Sequence, residues 1–398
     1  MSASLLLIVV AAIAFLATHV VSEWLARRLL IVSGAEYLVL GVLLGPQGTG
    51  LLPASALAAF EPFIVLGIGW MGLSAAMPMR LARLVAIPGV TYRLALVESL
   101  VTPVLVGGAT ASALAYAFAG GWPPALVAGA ALGVIATAST PAGMDVAFGT
   151  RRVRVPVLRQ IEVAHAMNAL VAISGFGVLL AVVHAEAPVA VRALTTTEWV
   201  VVTLAIGVVG GTLFHLFLGD DPPEDRLVVA LGGAVVLASG TAAHLGLSPT
   251  WATLTMGVVL VNSMRRPEAL HRVVRQGERP LYYALLLLAG ASWTAPPGLG
   301  WWLVFVHYLM VRVPAKLWGT AIATWWNGAQ GVVGVDWGRA LLGQGRLTLV
   351  LALDYARRGL PHGDVVFTCA AAAVLLTEFA AARLTRNVVD AFLPEGVR

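Results

Sequence analysis

The chain has 398 residues, of which 59% are hydrophobic and 11% charged, with a formal net charge of +5 and a mean hydropathy of +0.88. So little charge cannot cover the surface of a water-soluble core of this size, which excludes the soluble globular classes and leaves an all-α polytopic membrane protein. The small positive excess comes from loop arginines and excludes a nucleic-acid face, and a lone cysteine, Cys369, excludes an intrachain disulfide.

About thirteen apolar runs are each long enough to cross ~30 Å of hydrocarbon as a helix. Their approximate cores are 4–26, 36–53, 60–78, 88–118, 122–148, 156–183, 197–218, 226–245, 249–264, 280–294, 299–325, 337–357 and 364–389. The alternating ~10-residue segments of a membrane β-barrel do not occur. The first run has its charges, Arg27 and Arg28, after the apolar stretch, which predicts a retained span and not a cleaved signal peptide.

Arginine placement orients the chain. The loops after spans one, three, five and nine carry Arg27/Arg28, Arg80/Arg83, Arg151/Arg152/Arg154/Arg159 and Arg265/Arg266/Arg272/Arg275/Arg279. The loops after spans two, four, eight and ten carry no basic residue, and Arg192 and Arg357/Arg358 are the exceptions. The reading is an outside amino terminus and an inside carboxyl terminus, in a bacterial-type inner membrane. The acidic loop "GDDPPEDR" follows span seven and separates two six-span units of opposite direction. This predicts inverted repeats over 1–190 and 226–398, with a linker span and loop at 191–225.

Two spans look broken, at corresponding places. Span five contains "IATASTPAGMD", where Thr140 precedes Pro141, a residue without a backbone donor. Span twelve contains "RALLGQGRLTL", with Gly343 and Gly345 around Gln344. Interrupted helices in matching positions point to a site near the bilayer midplane. Unwound backbone is tolerated at that depth where it lines a cavity or is buried in protein.

Ionisable residues inside apolar runs are costly and point to function by default. Glu98 lies in span four, Glu378 in span thirteen, and Arg312 and Lys316 one turn apart in span eleven. Lys316 is the only lysine in the chain, beside which every other basic residue is arginine. Lysine can lose its proton when buried and arginine effectively cannot. On span six, Glu162, His165 and Ala169 share a helix face, with Glu162 about 10 Å from position 169. Asp145 lies on the second half of broken span five.

In order along the chain, "YLVLGVLLGPQGTGLL", "LGIGWMGLSAAMPMRLARL", "ATASTPAG", "HAMNALVAI", "TLTMGVVLVN", "MVRVPAKLWG" and "LLGQGRLTLVLAL" resemble the monovalent cation/proton antiporter superfamily, in its bacterial sodium/hydrogen exchanger branch. The resemblance implies a homodimer with a dimerisation domain and a mobile core. Two broken helices would cross beside an ion site in that core, and Na⁺ or K⁺ would exchange for H⁺. It also implies that the basic residue of the "MVRVPAKLWG" helix neutralises the ion-site carboxylate when no cation is bound.

Two positions depart from the pattern. The ion-site helix reads Asn168-Ala169 where the family has Asn-Asp or Asp-Asp, and the third span has Ser74 where it often has Glu. Carboxylates suit a hard cation, and alanine cannot replace one. Glu162 or His165 would then carry the proton, or Lys316 would work with Glu162, Asp145 or Glu378. For Glu98 the alternative is a structural pair with Arg93 or another helix's arginine. Two further readings stay open. One is a non-transporting sensor or subunit of the same fold. The other is an organic-anion transporter using Lys316 and Arg312 as counter-charges. No enzymatic motif, cofactor site or zinc spacing is present, and the expected partners are the lipid bilayer, a monovalent cation and the proton.

Overall fold

The computed structural model describes residues 34–141, 144, 155–184, 194–219 and 223–392. Among them, twelve helices have ten residues or more. They are α1 (Ala35–Leu44), α2 (Glu61–Ala76), α3 (Gly89–Ala117), α4 (Trp122–Thr137), α5 (Pro156–Val183), α6 (Thr196–Leu218), α7 (Glu224–His244), α8 (Pro249–Ser263), α9 (Pro267–Ala291), α10 (Gly300–Trp326), α11 (Arg346–Arg357) and α12 (Gly363–Asp390). They fall on the second to thirteenth expected spans, and the first expected span lies outside the described residues.

Two boundaries differ from expectation for visible reasons. The second helix stops at Leu44, because Gly45 and Pro46 follow and the chain turns through Gly50 before a short helix, Ala54–Ala59. The tenth helix starts at Pro267 and not at about 280. Its first turns are arginine-rich, which makes them read as loop. Yet Leu270, Val273, Val274 and Leu281 recur at helical spacing, and the first three are buried.

The helices sort by contact into two groups. One contains α1, α2, α6, α7, α8 and α9. The other contains α3, α4, α10, α11 and α12, with α5 packed on α3 and α4 while also touching the first group. Each group draws helices from both halves of the chain. Small residues bring backbones together inside each group, as in membrane interiors generally. A Cβ on Gly290 of α9 would sit 2.0 Å from the Leu38 carbonyl of α1, and one on Gly133 of α4 would sit 2.4 Å from the Pro103 carbonyl of α3.

Apolar side chains also face outward. On α6, Val201, Val209, Leu216 and Phe217 are exposed, as are Val229 and Leu237 on α7. Helices α3, α5, α6 and α7 are long and apolar enough to cross a membrane. Tryptophans stand at both ends of α10: Trp302 near its start, and Trp325 and Trp326 at its end, all exposed. The two clusters are separated by roughly 35 Å at 1.5 Å per residue, which fits the two interfaces of a bilayer.

Candidate functional site

The two predicted breaks are real, and they meet. Helix α4 ends at Thr137, and residues 138–140 run on without helical structure. On the other side a 3₁₀ segment, Asp336–Leu341, is followed by non-helical residues 342–345 and then by α11. The Thr140 amide donates to the Gly343 carbonyl at 3.0 Å. A Cβ on Gly345 would lie 2.7 Å from Thr140 Cβ, so this approach needs glycine.

A helix end leaves its last carbonyls without helical partners, with the negative end of the dipole. Here α10 supplies the donors. Arg312 donates Nε to the Ala136 carbonyl (3.0 Å), Nη2 to Ala138 (3.4 Å) and Nη1 to Leu342 (2.7 Å). Lys316 Nζ donates to the Thr137 carbonyl at 2.9 Å. The i, i+4 spacing puts both cations on one face of α10, and both are fully buried. Arg312 therefore clasps both broken segments at once.

Lys316 has a second partner, Glu98 of α3, with Nζ to Oε1 at 2.7 Å. Among the described residues the carboxylate partner of Lys316 is thus Glu98 and not Glu162, and Glu98 meets a lysine where the structural alternative had an arginine. Both side chains of the pair are 0% exposed. Thr102 Oγ1 also donates to Glu98 Oε1 at 3.3 Å, whereas Oε2 has no hydrogen-bond partner among the described residues. Asp145 and the Glu378 side chain lie outside the described residues.

The α5 residues approach the same break. Ser139 Oγ bonds His165 Nδ1 at 2.7 Å and accepts from Asn168 Nδ2 at 3.0 Å. His165 Nε2 and Asn168 Oδ1 are buried without partners among the described residues. Gln344 donates Nε2 to the Tyr308 hydroxyl at 2.7 Å, and its own Oε1 is unpartnered among the described residues. Unpaired buried oxygens clustered around unwound backbone are the ligand type a dehydrated hard cation takes.

A cavity of about 380 Å³ reaches this region, and Ser139, Thr140, Pro141, Glu162, His165 and Ala169 line part of it. Glu162 is exposed to it, and Ala169 sits in its wall where a carboxylate would have projected. The opposite wall holds groups that sequence reasoning missed. Glu278 of α9 accepts from Ser74 Oγ at 2.8 Å and is ion-paired with Arg346. Thr348 lines the same wall, with its Oγ1 buried and unpartnered. Glu278 was overlooked because it stands among Arg272, Arg275 and Arg279, which read as a solvated loop; the apolar spacing of that segment was the signal available.

The profile of the family described as "Sodium/hydrogen exchanger, transmembrane" matches residues 11–386. The chain belongs to this family. The fold is also that of a solved relative: the sodium proton antiporter MjNhaP1 from Methanocaldococcus jannaschii at pH 8 superimposes with a TM-score of 0.69 at 16% identity, covering 98% of this chain and 100% of that one. A second MjNhaP1 structure, from electron microscopy, gives 0.66 at the same identity and coverage. No curated protein matches the sequence. This exchanger-family chain is thus a multi-pass membrane transport protein whose broken-helix crossing carries a Lys–Glu pair, and whose cavity wall holds alanine at position 169.

Proposed function

We propose that the chain exchanges a monovalent cation for a proton, and that the Glu98–Lys316 pair couples the two in place of the carboxylate missing at Ala169. One observation carries this reading: a fully buried Lys–Glu contact of 2.7 Å whose second carboxylate oxygen has no partner among the described residues. Without a cation, the Lys316 ammonium neutralises Glu98. A cation reaching Glu98 places a second positive charge beside the ammonium in a site with little dielectric screening. Lys316 then gives up its proton, and the cation takes the place of the ammonium charge beside the Glu98 carboxylate, so that one cation is bound for each proton released. Release on the other side reverses the exchange. Arginine in this place would keep its proton, which accounts for the single lysine.

Ser139 and His165 line the cavity with hydroxyl and imidazole groups, and the buried Asn168 amide holds Ser139 from behind. Arg312 keeps the broken ends charged-balanced and in register. The two contact groups correspond in this reading to a dimerisation unit and a moving unit of a homodimer. The membrane is a bacterial inner membrane, with the amino terminus outside and the carboxyl terminus inside, in keeping with the loop arginines.

The test is transport in proteoliposomes under an imposed pH gradient, with Na⁺, K⁺ or Li⁺ added in turn and a pH dye as readout. The expected result is cation-dependent collapse of the gradient, lost in Glu98→Gln and in Lys316→Gln. Folded wild-type protein that responds to no cation from pH 6 to 9 would leave the scaffold or sensor reading. A dependence on an organic anion would select the anion reading.

A further inference from the structure

The carboxylate absent at Ser74 has a spatial substitute. Glu278 reaches across from α9 and its Oε2 takes the Ser74 hydroxyl at 2.8 Å. Ser74 and Glu278 therefore present together a carboxylate and a hydroxyl where the resemblance would place a single acid on α2. Glu278 is 9% exposed and lines the same cavity as Ala169, Glu162 and His165. Thr348 stands on this wall with a buried, unpartnered Oγ1.

The other oxygen of Glu278 is held by Arg346. Ser74 and Glu278 belong to α2 and α9 of the first contact group, whereas Arg346 and Thr348 belong to α11 of the second. The site thus straddles the interface between the groups. Arg346 is the first residue of α11, directly after the Gly345 crossing.

We propose that Glu278, with Ser74 and Thr348, is a second monovalent-cation site at the cavity wall, and that Arg346 occupies it when no cation is bound. A cation entering the cavity competes with Arg346 for the carboxylate, and its binding releases the contact between the two groups. No proton moves in this step, because arginine does not deprotonate; one cation replaces another. The site therefore selects and admits the cation, while coupling stays at Glu98–Lys316, a division that rests on the function proposed above. The cavity also holds His271, Arg275 and Arg346. The positive charge of the two arginines would favour an anion were Glu278 and Glu162 not lining the same cavity.

Two measurements test the site. In proteoliposomes, Glu278→Gln should raise the apparent KM for the transported cation about tenfold, the loss of one charge-assisted ligand, with little change in maximal rate. Arg346→Gln should lower KM by removing the competitor. The double variant Glu278→Gln/Arg346→Gln removes both charges of this pair and should match Glu278→Gln. The second measurement needs no transport. In Glu98→Gln/Lys316→Gln protein, NaCl, KCl or LiCl, against N-methylglucamine chloride, should still raise the thermal unfolding midpoint saturably. Adding Glu278→Gln/Arg346→Gln should remove that rise. An unchanged KM in the Glu278/Arg346 double variant overturns the proposal. So does a midpoint in the Glu98/Lys316 background that ignores cations or still responds without Glu278. Lost transport in Glu98→Gln, with the Glu278-dependent rise intact, supports the site. Wild-type protein that never transports but keeps the Glu278-dependent rise defeats the coupling reading and leaves this one standing.

Discussion

Two ion pairs, Glu98–Lys316 and Glu278–Arg346, link helices around one crossing, and they differ in every property that matters for function. The first joins α3 to α10 inside one contact group, with both side chains 0% exposed. The second joins α9 of one group to α11 of the other, with side chains 12% and 40% exposed. The first uses the only lysine of the chain, and the second one of its many arginines. In the proposed exchange, a pair sealed within a group stays together when the groups move, and it would change state by moving a proton. A pair across the interface separates by motion and has no need to titrate. The choice of lysine or arginine follows from that difference.

The comparison breaks most severely at the sealed pair. Removing one partner there leaves a buried charge alone, which costs about 3–5 kcal/mol, whereas replacing both charges is far milder. Lys316→Gln should therefore unfold several degrees below wild type, and Glu98→Gln/Lys316→Gln should recover most of the loss, as read by thermal unfolding in detergent. Equal destabilisation in single and double variants would mean that the pair is not an independent unit. Arg346→Gln should cost less than Lys316→Gln in the same assay, because water reaches the Arg346 end of its pair.

A smaller effect is expected where the two pairs share a support. Gly345 precedes Arg346 and touches Thr140, three residues beyond the Thr137 carbonyl that Lys316 holds. Gly345→Ala puts a methyl 2.7 Å from Thr140 Cβ, an overpacking worth roughly 1–3 kcal/mol. Because the crossing fixes both sites, transport should fall with stability. A fully active, fully stable Gly345→Ala protein would show that the crossing tolerates separation.

Much of this was legible in the sequence, for physical reasons that also mark its limit. Pro141 and the Gly343–Gly345 pair announce breaks, since backbone chemistry is local. Arg312 and Lys316 announce a polar face, since their spacing is one helical turn. What sequence spacing cannot give is which helices pack together. Glu98 and Lys316 are 218 residues apart, and nothing in either segment names the other. Glu278 was hidden differently: its arginine neighbours imitate a solvated loop, although the helix buries one face at Leu270, Val273 and Val274.

The finest test exchanges the two cations by the most conservative route. Arg346→Lys keeps a positive charge opposite Glu278. Lysine gives up the forked geometry of arginine but still yields to a competing cation, so KM and maximal rate should stay within about threefold of wild type, a loss of the order of one weak contact. Lys316→Arg also keeps the charge, yet it should stop exchange, because the guanidinium cannot release the proton that the cation must replace. Comparison of initial rates in the pH-gradient assay, with size-exclusion elution as the check of folding, gives the two numbers side by side. If Lys316→Arg transports as well as Arg346→Lys, the lysine is no proton carrier, the Glu98–Lys316 pair is a structural clasp, and Glu162 and His165 on α5 become the next proton carriers to test.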